Sequence, residues 1–261
     1  MNKEYLDFAK SVAYEAGEII RKYFVKNPDS EFKKDDSIVT VADKEINDLV
    51  IERVKENFPG HAVNGEEASY QQDTKYVWVC DPIDGTNPFA MTVAVSVFSL
   101  AYVYDGEPLI GVVYDPYTDR MFWAAKGEGA YINTDRTYVS KQDFGPHVSL
   151  NVDWWADAEY DTVTPMMDVL KQTRSYMLHL GSTTHASVLV AQGDLVANIF
   201  PGTRGKNVDI AAAKVIVEEA GGKVTDLFGN DQRYDRDIQG AILSNGVVHD
   251  EIVRVMKGAN L

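Results

Sequence analysis

Two aspartates, a proline and a Gly-Thr pair follow an apolar run in the stretch WVCDPIDGTNPF, residues 78–89. That composition suits neither strand nor helix and reads as a loop shaped to hold something. Proline fixes φ and withholds a backbone donor, so the chain is expected to leave its sheet there with Asp81 and Asp84 turned toward one point. Two carboxylates so close repel each other unless a cation or a proton sits between them. Hard cations such as Mg²⁺ favour oxygen ligands of this kind. If a helix opens at Gly85-Thr86, its free N–H groups face the same point and favour a phosphate. Asp-Pro and Asp-Gly are also common turn pairs with solvated acids, so other acids must decide between the readings. Glu66 and Glu67 precede the Tyr76–Cys80 run, and Asp209 stands at an expected helix start ahead of Ala211, Ala212 and Ala213. Taken alone, Asp209 reads equally well as an N-cap.

Taken together, Gly65-Glu66-Glu67, Asp81-Pro82-Ile83-Asp84-Gly85-Thr86 and Val208-Asp209-Ile210-Ala211-Ala212, with Val39-Thr40-Val41-Ala42-Asp43 upstream, resemble the inositol monophosphatase superfamily. Its members are metal-dependent, often lithium-sensitive phosphatases. The matching segments run in order from near the N-terminus to about Gly222. The resemblance implies that Glu66, Asp81 and the Ile83 carbonyl bind one Mg²⁺, and that Asp81, Asp84 and Asp209 bind a second. A third, weaker ion would touch Glu66, giving two to three in all. Asp43 and Thr86 would orient and help deprotonate the attacking water, with Glu66 completing the catalytic set. Backbone donors at Gly85 and Thr86 would hold phosphate oxygens, and Gly181, Thr184 and Arg204 would face the leaving group.

The same resemblance implies an α/β protein with a layered α-β-α-β-α sandwich, commonly a homodimer. It would hydrolyse a small phosphate monoester, such as a polyol or sugar phosphate, by direct attack of water. Fructose-1,6-bisphosphatase and histidinol phosphatase are alternatives within the class, and a catalytically weak regulatory binding protein is one outside it. The chain departs from the pattern at Pro88, just after Gly-Thr, and at Val208, where a Trp usually stands. Inositol-specific members often carry an acid in the segment before Asp209, where this chain has Gly202, Thr203 and Arg204.

The elements that must position these residues follow from periodicity. Leu6, Ala9, Val12, Ala13, Ala16, Ile19, Ile20 and Tyr23 recur at helical spacing, which predicts a helix from Lys3 to Phe24. A second runs from about Ala42 to Phe58 and is stopped by Pro59-Gly60. Strand signals follow at Tyr76–Cys80, Val93–Tyr104 and Leu109–Tyr114, with Asp105-Gly106 as a hairpin turn. Met121–Ala125 and Ala130–Ile132 continue the series. The polar stretch near Gln142–Pro146 marks the expected boundary between an α+β domain (1–143) and an α/β domain (144–261). The second half alternates, with helices at 163–173, 183–191, 209–220 and 249–257 and strands at 175–180 and 195–200.

The chain has 261 residues and a net charge of −15. That balance argues against a general nucleic-acid binder, which would show a basic surface. Bound cations would reconcile an acidic protein with an anionic substrate. Cys80 is the only cysteine, so an internal disulfide or a cysteine-rich zinc site is excluded and a buried, inert thiol is expected. No signal peptide or membrane-spanning run is evident, which fits a cytoplasmic location.

Overall fold

The computed structural model describes residues 2–25, 30–32, 38–156, 158–202 and 207–259. Helix α1 (Asn2–Tyr23) is followed by a small antiparallel pair, β1 (Ser30–Phe32) and β2 (Ile38–Thr40), and then by α2 (Val41–Asn57). A seven-stranded sheet comes next. It comprises β3 (Ala62–Gly65), β4 (Tyr76–Asp84), β5 (Val97–Tyr104), β6 (Glu107–Asp115), β7 (Arg120–Ala125), β8 (Gly129–Ile132) and β9 (Asp135–Thr137), side by side in chain order. The short helix α3 (Thr86–Ala90) interrupts the run between β4 and β5. The remainder supplies β10 (Ser149–Val152), α4 (Val163–Thr173), β11 (Tyr176–Leu178), α5 (Thr183–Gln192), β12 (Ala197–Phe200), α6 (Ala211–Glu219), β13 (Lys223–Thr225), β14 (Ala241–Ser244) and α7 (His249–Gly258). Its five strands form a mixed sheet in the order β11-β10-β12-β14-β13.

The layers are α-β-α-β-α, as the resemblance implies. Helices α1 and α2 bury Ala9, Val12, Ala16, Ile20, Ile46 and Val50 against one face of the large sheet, beside Trp78, Phe98, Leu100 and Tyr102. Helices α5 and α6 fill the space between the sheets with small and branched side chains, among them Ala186, Val188, Ala211, Ala212, Ala213 and Ile216. Helices α4 and α7 close the outer face of the small sheet with Met166, Leu170, Ile252 and Met256. The α6 layer lies close to the strands for a definite reason. A Cβ on Gly111 of β6 would stand 2.2 Å from the Ala212 carbonyl oxygen, so only glycine lets the helix backbone approach this far.

Most predicted elements stand where the periodicity puts them, and three differ. The β4 strand does not end at Cys80; it runs to Asp84 through a bulge. A proline without an N–H is tolerated where the ladder is already broken. The β5 strand begins at Val97 and not at Val93, because 91–96 is a turn-rich segment folded back on α3 through the bond from Val93 N to the Pro88 carbonyl. Helix α6 begins at Ala211, so Asp209 sits in the turn before it and is not the cap, a place taken by Ile210. The Asp105-Gly106 turn is as expected, with both residues at positive φ (49° and 84°), the mirror-image turn that suits a two-residue hairpin.

Candidate metal centre

The bulge in β4 decides where the two aspartates point. Asp81 pairs across the ladder with Ser99, and Asp84 with Val97. Three residue steps on β4 therefore match two on β5, so β4 carries one extra residue. In a regular strand, positions i and i+3 face opposite sides. Here both aspartates share the face of Val97 and Ser99, directed at α5 and α6. The extra residue lies in the Pro82-Ile83 pair, where Ile83 N donates to Asp81 Oδ1 (3.0 Å) and tightens the turn.

The third carboxylate arrives from the other half of the chain. The turn 207–210 is closed by bonds from Ala211 N and Ile210 N to the Asn207 carbonyl, and Asn207 is itself anchored through Nδ2 to the Tyr234 carbonyl (2.8 Å). This turn brings Asp209 to Asp81 and Asp84, and one oxygen from each of the three lies within 4.8 Å of the others. All three are buried. Glu66 follows β3, which runs parallel to β4 with Gly65 opposite Cys80. Its N–H bonds the Cys80 carbonyl (3.1 Å), so its backbone adjoins Asp81, whose ionisation its charge disfavours.

The electrostatics follow from this crowding. Burial, and then the charges of Glu66, Asp209 and Asp84, push the Asp81 carboxyl well above the usual carboxylate range. Asp84 is pushed the same way by burial and then by Asp209, although its Oδ2 accepts from the Ser182 hydroxyl and from Thr184 N (2.9 Å). Three carboxylates cannot all ionise in such a space without a counter-charge. An all-oxygen donor set of this spacing fits a hard divalent cation, so the residues present suit the ion that the sequence pattern implies.

Asp43 and Thr86 stand beside this cluster. Asp43 is the third residue of α2 and half of a capping box: Thr40 N donates to its Oδ2 (2.8 Å), and Asp43 N reaches Thr40 Oγ1 (3.4 Å). Its Oδ1 is left to face Thr86 Oγ1 at 3.3 Å, while that hydroxyl also lies 3.1 Å from the Ile83 carbonyl. Burial raises the Asp43 pKa to about 6, against the lowering effect of its bonds to Thr40. Gly85, at φ 88°, is the N-cap of α3, and a Cβ there would meet the Gly181 carbonyl at 3.0 Å. The starts of α3 and α5 therefore abut. Pro88 falls in the first turn of α3, where a missing N–H is tolerated.

A family model described as the inositol monophosphatase family matches residues 1–259. The chain belongs to the inositol monophosphatase family. A fructose-1,6-bisphosphatase/inositol-1-monophosphatase of Aquifex aeolicus is 31% identical, covering 98% of this chain and 96% of that protein. Inositol monophosphatase 1 of Solanum lycopersicum is 33% identical, with 88% and 86% covered. The solved structure of an IMPase from Thermotoga maritima superposes with a TM-score of 0.86 at 30% identity, covering 97% of each chain. The protein is thus a phosphoric monoester hydrolase of the inositol monophosphatase type, a family that generally uses Mg²⁺.

Thr184 is fully buried, and its hydroxyl donates to the Asp209 carbonyl (2.7 Å), so it ties α5 to the turn that carries Asp209. Arg204 and Thr203 lie outside the described residues. At Gly202 any Cβ would come within 2.7 Å of the Gly240 N, which leaves no room for an acidic side chain there. Val208 is buried in the α5–α6 core and fills apolar space as expected. Cys80 is a buried free thiol whose pKa burial pushes up. His185 is buried, and its Nδ1 donates to the Val95 carbonyl (2.7 Å), holding the 91–96 segment.

Two contributors escape a sequence reading. Asn47, one turn after Asp43 on α2, accepts from Glu67 N and Ala68 N through Oδ1 and donates to the Ala68 carbonyl. It thereby fixes the Glu66-Glu67 turn. The helical spacing of Asp43 and Asn47 is a signal that could have found it. Asp153 lies on a segment whose neighbouring aromatics and acids gave no hint of a buried carboxyl.

Proposed function

We propose that the protein is a Mg²⁺-dependent phosphatase for a small polyol or sugar phosphate. The convergence of Asp81 and Asp84 from β4 with Asp209 from the turn before α6 supports this reading most strongly. Together with Glu66 and the Ile83 carbonyl they would hold two to three Mg²⁺ ions, as in two-metal sites. Bound there, the ions would neutralise charge on the phosphoryl group and make water more acidic. Thr86 hands its hydrogen to Asp43 or to the Ile83 carbonyl, which leaves its oxygen lone pairs to accept from water. Asp43 is the base that takes the proton, and its pKa of about 6 keeps it ready near neutral pH. The backbone donors at Gly85 and Thr86 hold phosphate oxygens, and the Gly181 segment borders the leaving group, with Arg204 a further contact.

A bisphosphate substrate is the second reading, favoured by the double name of the Aquifex aeolicus relative. Phosphate release across a panel of mono- and bisphosphate esters, with and without Mg²⁺, tests both. Turnover that requires Mg²⁺ is expected, and no turnover on any ester would leave the regulatory binding role. We further propose a homodimer in the cytoplasm. The edge strand β11 exposes Tyr176, Met177 and Leu178, which supports an apolar contact between copies. Sedimentation and cell fractionation check these points.

A further inference from the structure

Behind α5 lies a set of buried polar side chains that the carboxylate cage does not use. Asn151, Asp153, Ser187 and Asn198 are at most 1% exposed, and Thr183 is 7% exposed. Buried polar groups are costly unless every one finds a partner, and here they pair chiefly with one another, with the half-exposed His179 Nδ1 standing 3.7 Å from Asp153 Oδ1 at the edge. Asp153 Oδ2 accepts from Thr183 Oγ1 (2.6 Å), and its Oδ1 accepts from Asn151 Nδ2 (2.8 Å). Asn151 Nδ2 also donates to Asn198 Oδ1 (2.8 Å), and Asn151 Oδ1 accepts from Leu180 N (2.8 Å). Asn198 Nδ2 donates to the Thr183 carbonyl (3.0 Å) and to Ser187 Oγ (2.9 Å), and Ser187 Oγ donates to the same carbonyl (2.8 Å). The network thus grips residues 180–187, the entry and first turn of α5.

That turn is also where the metal ligands are held. Successive helical residues project about 100° apart, and residues 182–184 each take a different anchor. The Ser182 hydroxyl and Thr184 N bond Asp84, Thr183 Oγ1 bonds Asp153, and Thr184 Oγ1 bonds the Asp209 carbonyl. Asp153 is the only one of these anchors that does not belong to the cage, so it holds the turn against the small sheet while the cage holds it against the large one. A carboxyl is an expensive filler for a dry site, and packing alone does not call for one. Resting on the reading of Asp81, Asp84 and Asp209 as a metal cage, we propose that Asp153 is a positioning residue for that cage. It acts through Thr183 to fix the first turn of α5 and hence the spacing of Asp84 and Asp209.

The test is calorimetric titration of Mn²⁺ and Mg²⁺ into the metal-free, full-length protein, with thermal unfolding in chelator alongside. Thr183→Val keeps the shape and removes the hydroxyl that bonds Asp153. It should weaken divalent-ion binding roughly 10–100-fold, the usual cost of losing a group that orients a ligand. The Mg²⁺ concentration for half-maximal turnover should rise by the same factor, with KM at saturating Mg²⁺ changed less than about twofold. Thr183→Ser restores the hydroxyl and should restore affinity. Asp153→Asn, which puts an N–H where one of two donors now points, should weaken binding in the same direction and serves if Thr183→Val does not fold. A folded Thr183→Val or Asp153→Asn protein that melts lower yet binds the ions within about twofold of wild type would reduce the network to packing and overturn the proposal. A wild-type protein that takes up neither ion sinks the cage and the proposal together, whereas equal uptake by wild type and variant sinks the proposal alone.

Discussion

The two faces of the seven-stranded sheet are built on opposite plans. Toward α1 and α2 the strands present Phe98 and Leu100, and Trp78 and Tyr102, whose rings pack with Tyr5, Phe8 and Phe58 in a continuous aromatic cluster. Toward α5 and α6 they present Val79, Ala101, Gly111, Ala124 and Ala130, and at one end the acids. The first face buries large area and carries stability. The second gives up side-chain volume for close approach, so that the turn before α6 can deliver Asp209 to the end of β4. Stability and chemistry are thereby divided between the two sides of one sheet.

This division can be broken most sharply from the chemical side. Asp84→Asn should lower turnover at least on the order of 10²–10³-fold, the loss seen when one key electrostatic group is removed. Its melting temperature in chelator should hold or rise, because one of three crowded carboxylates is gone. Wild-type activity in this variant would refute the ligand assignment. On the other face, Leu100→Ala should cost about 2–5 kcal/mol by denaturant unfolding and leave the Mg²⁺ dependence of turnover unchanged. A shift in that dependence would show that the two faces are not independent. Gly111→Ala probes the boundary. The added methyl collides with the Ala212 carbonyl, so overpacking of about 1–3 kcal/mol should come with weaker divalent-ion uptake, because α6 and Asp209 move together.

The smallest effect, and the most discriminating, is in pH dependence. The folded-state pKa of Asp43 is raised to about 6, and burial and neighbouring carboxylates push those of Asp81 and Asp84 well above the ordinary value of 3.8. The folded protein therefore binds protons more readily than the unfolded chain. Their contribution to stability is full below the ordinary carboxylate range and is lost as pH rises through the raised folded-state values, about 6 for Asp43. On the aromatic face His61 has the opposite sign. Its Nδ1 accepts from Trp78 Nε1 (3.2 Å), and burial lowers its pKa below the ordinary 6.5, so it favours the fold above 6.5 and loses that contribution as pH falls toward its lowered value. Denaturant unfolding from about pH 5 to pH 8 in chelator should contain both slopes. Saturating Mg²⁺ should flatten the acidic one alone, and His61→Phe should flatten the other alone. Lithium in the millimolar range should inhibit turnover, and full insensitivity would count against occupation of the same cage.

The sequence makes the helices, the hairpin turn and the acids of the buried cluster legible because they are written in local terms. Helical spacing, Pro59-Gly60 and Asp105-Gly106 each report a nearby backbone event, and DPIDGT is one contiguous string. What escapes is decided by partners far along the chain. The bulge cannot be seen in β4 alone, since it is a mismatch of count against β5. The late start of α6 depends on Asn207 being held by Tyr234. The Thr184 hydroxyl looks available until its partner, the Asp209 carbonyl, is located. Asp153 draws no attention because nothing adjacent in sequence shows that Asn151 and Thr183 bond its carboxylate.

The surplus residue at Pro82-Ile83 has an evolutionary consequence. Ile83 can drift to Val or Leu at little cost, because in the proposed site its backbone carbonyl, and not its side chain, would serve as the ligand. Chain length between the two aspartates has no such freedom. Deleting one residue there would restore the regular alternation of the strand and swing one acid across to the hydrocarbon side, next to Phe98 and Leu100. Descendants of this protein can therefore vary in lettering along this stretch but not in the number of letters.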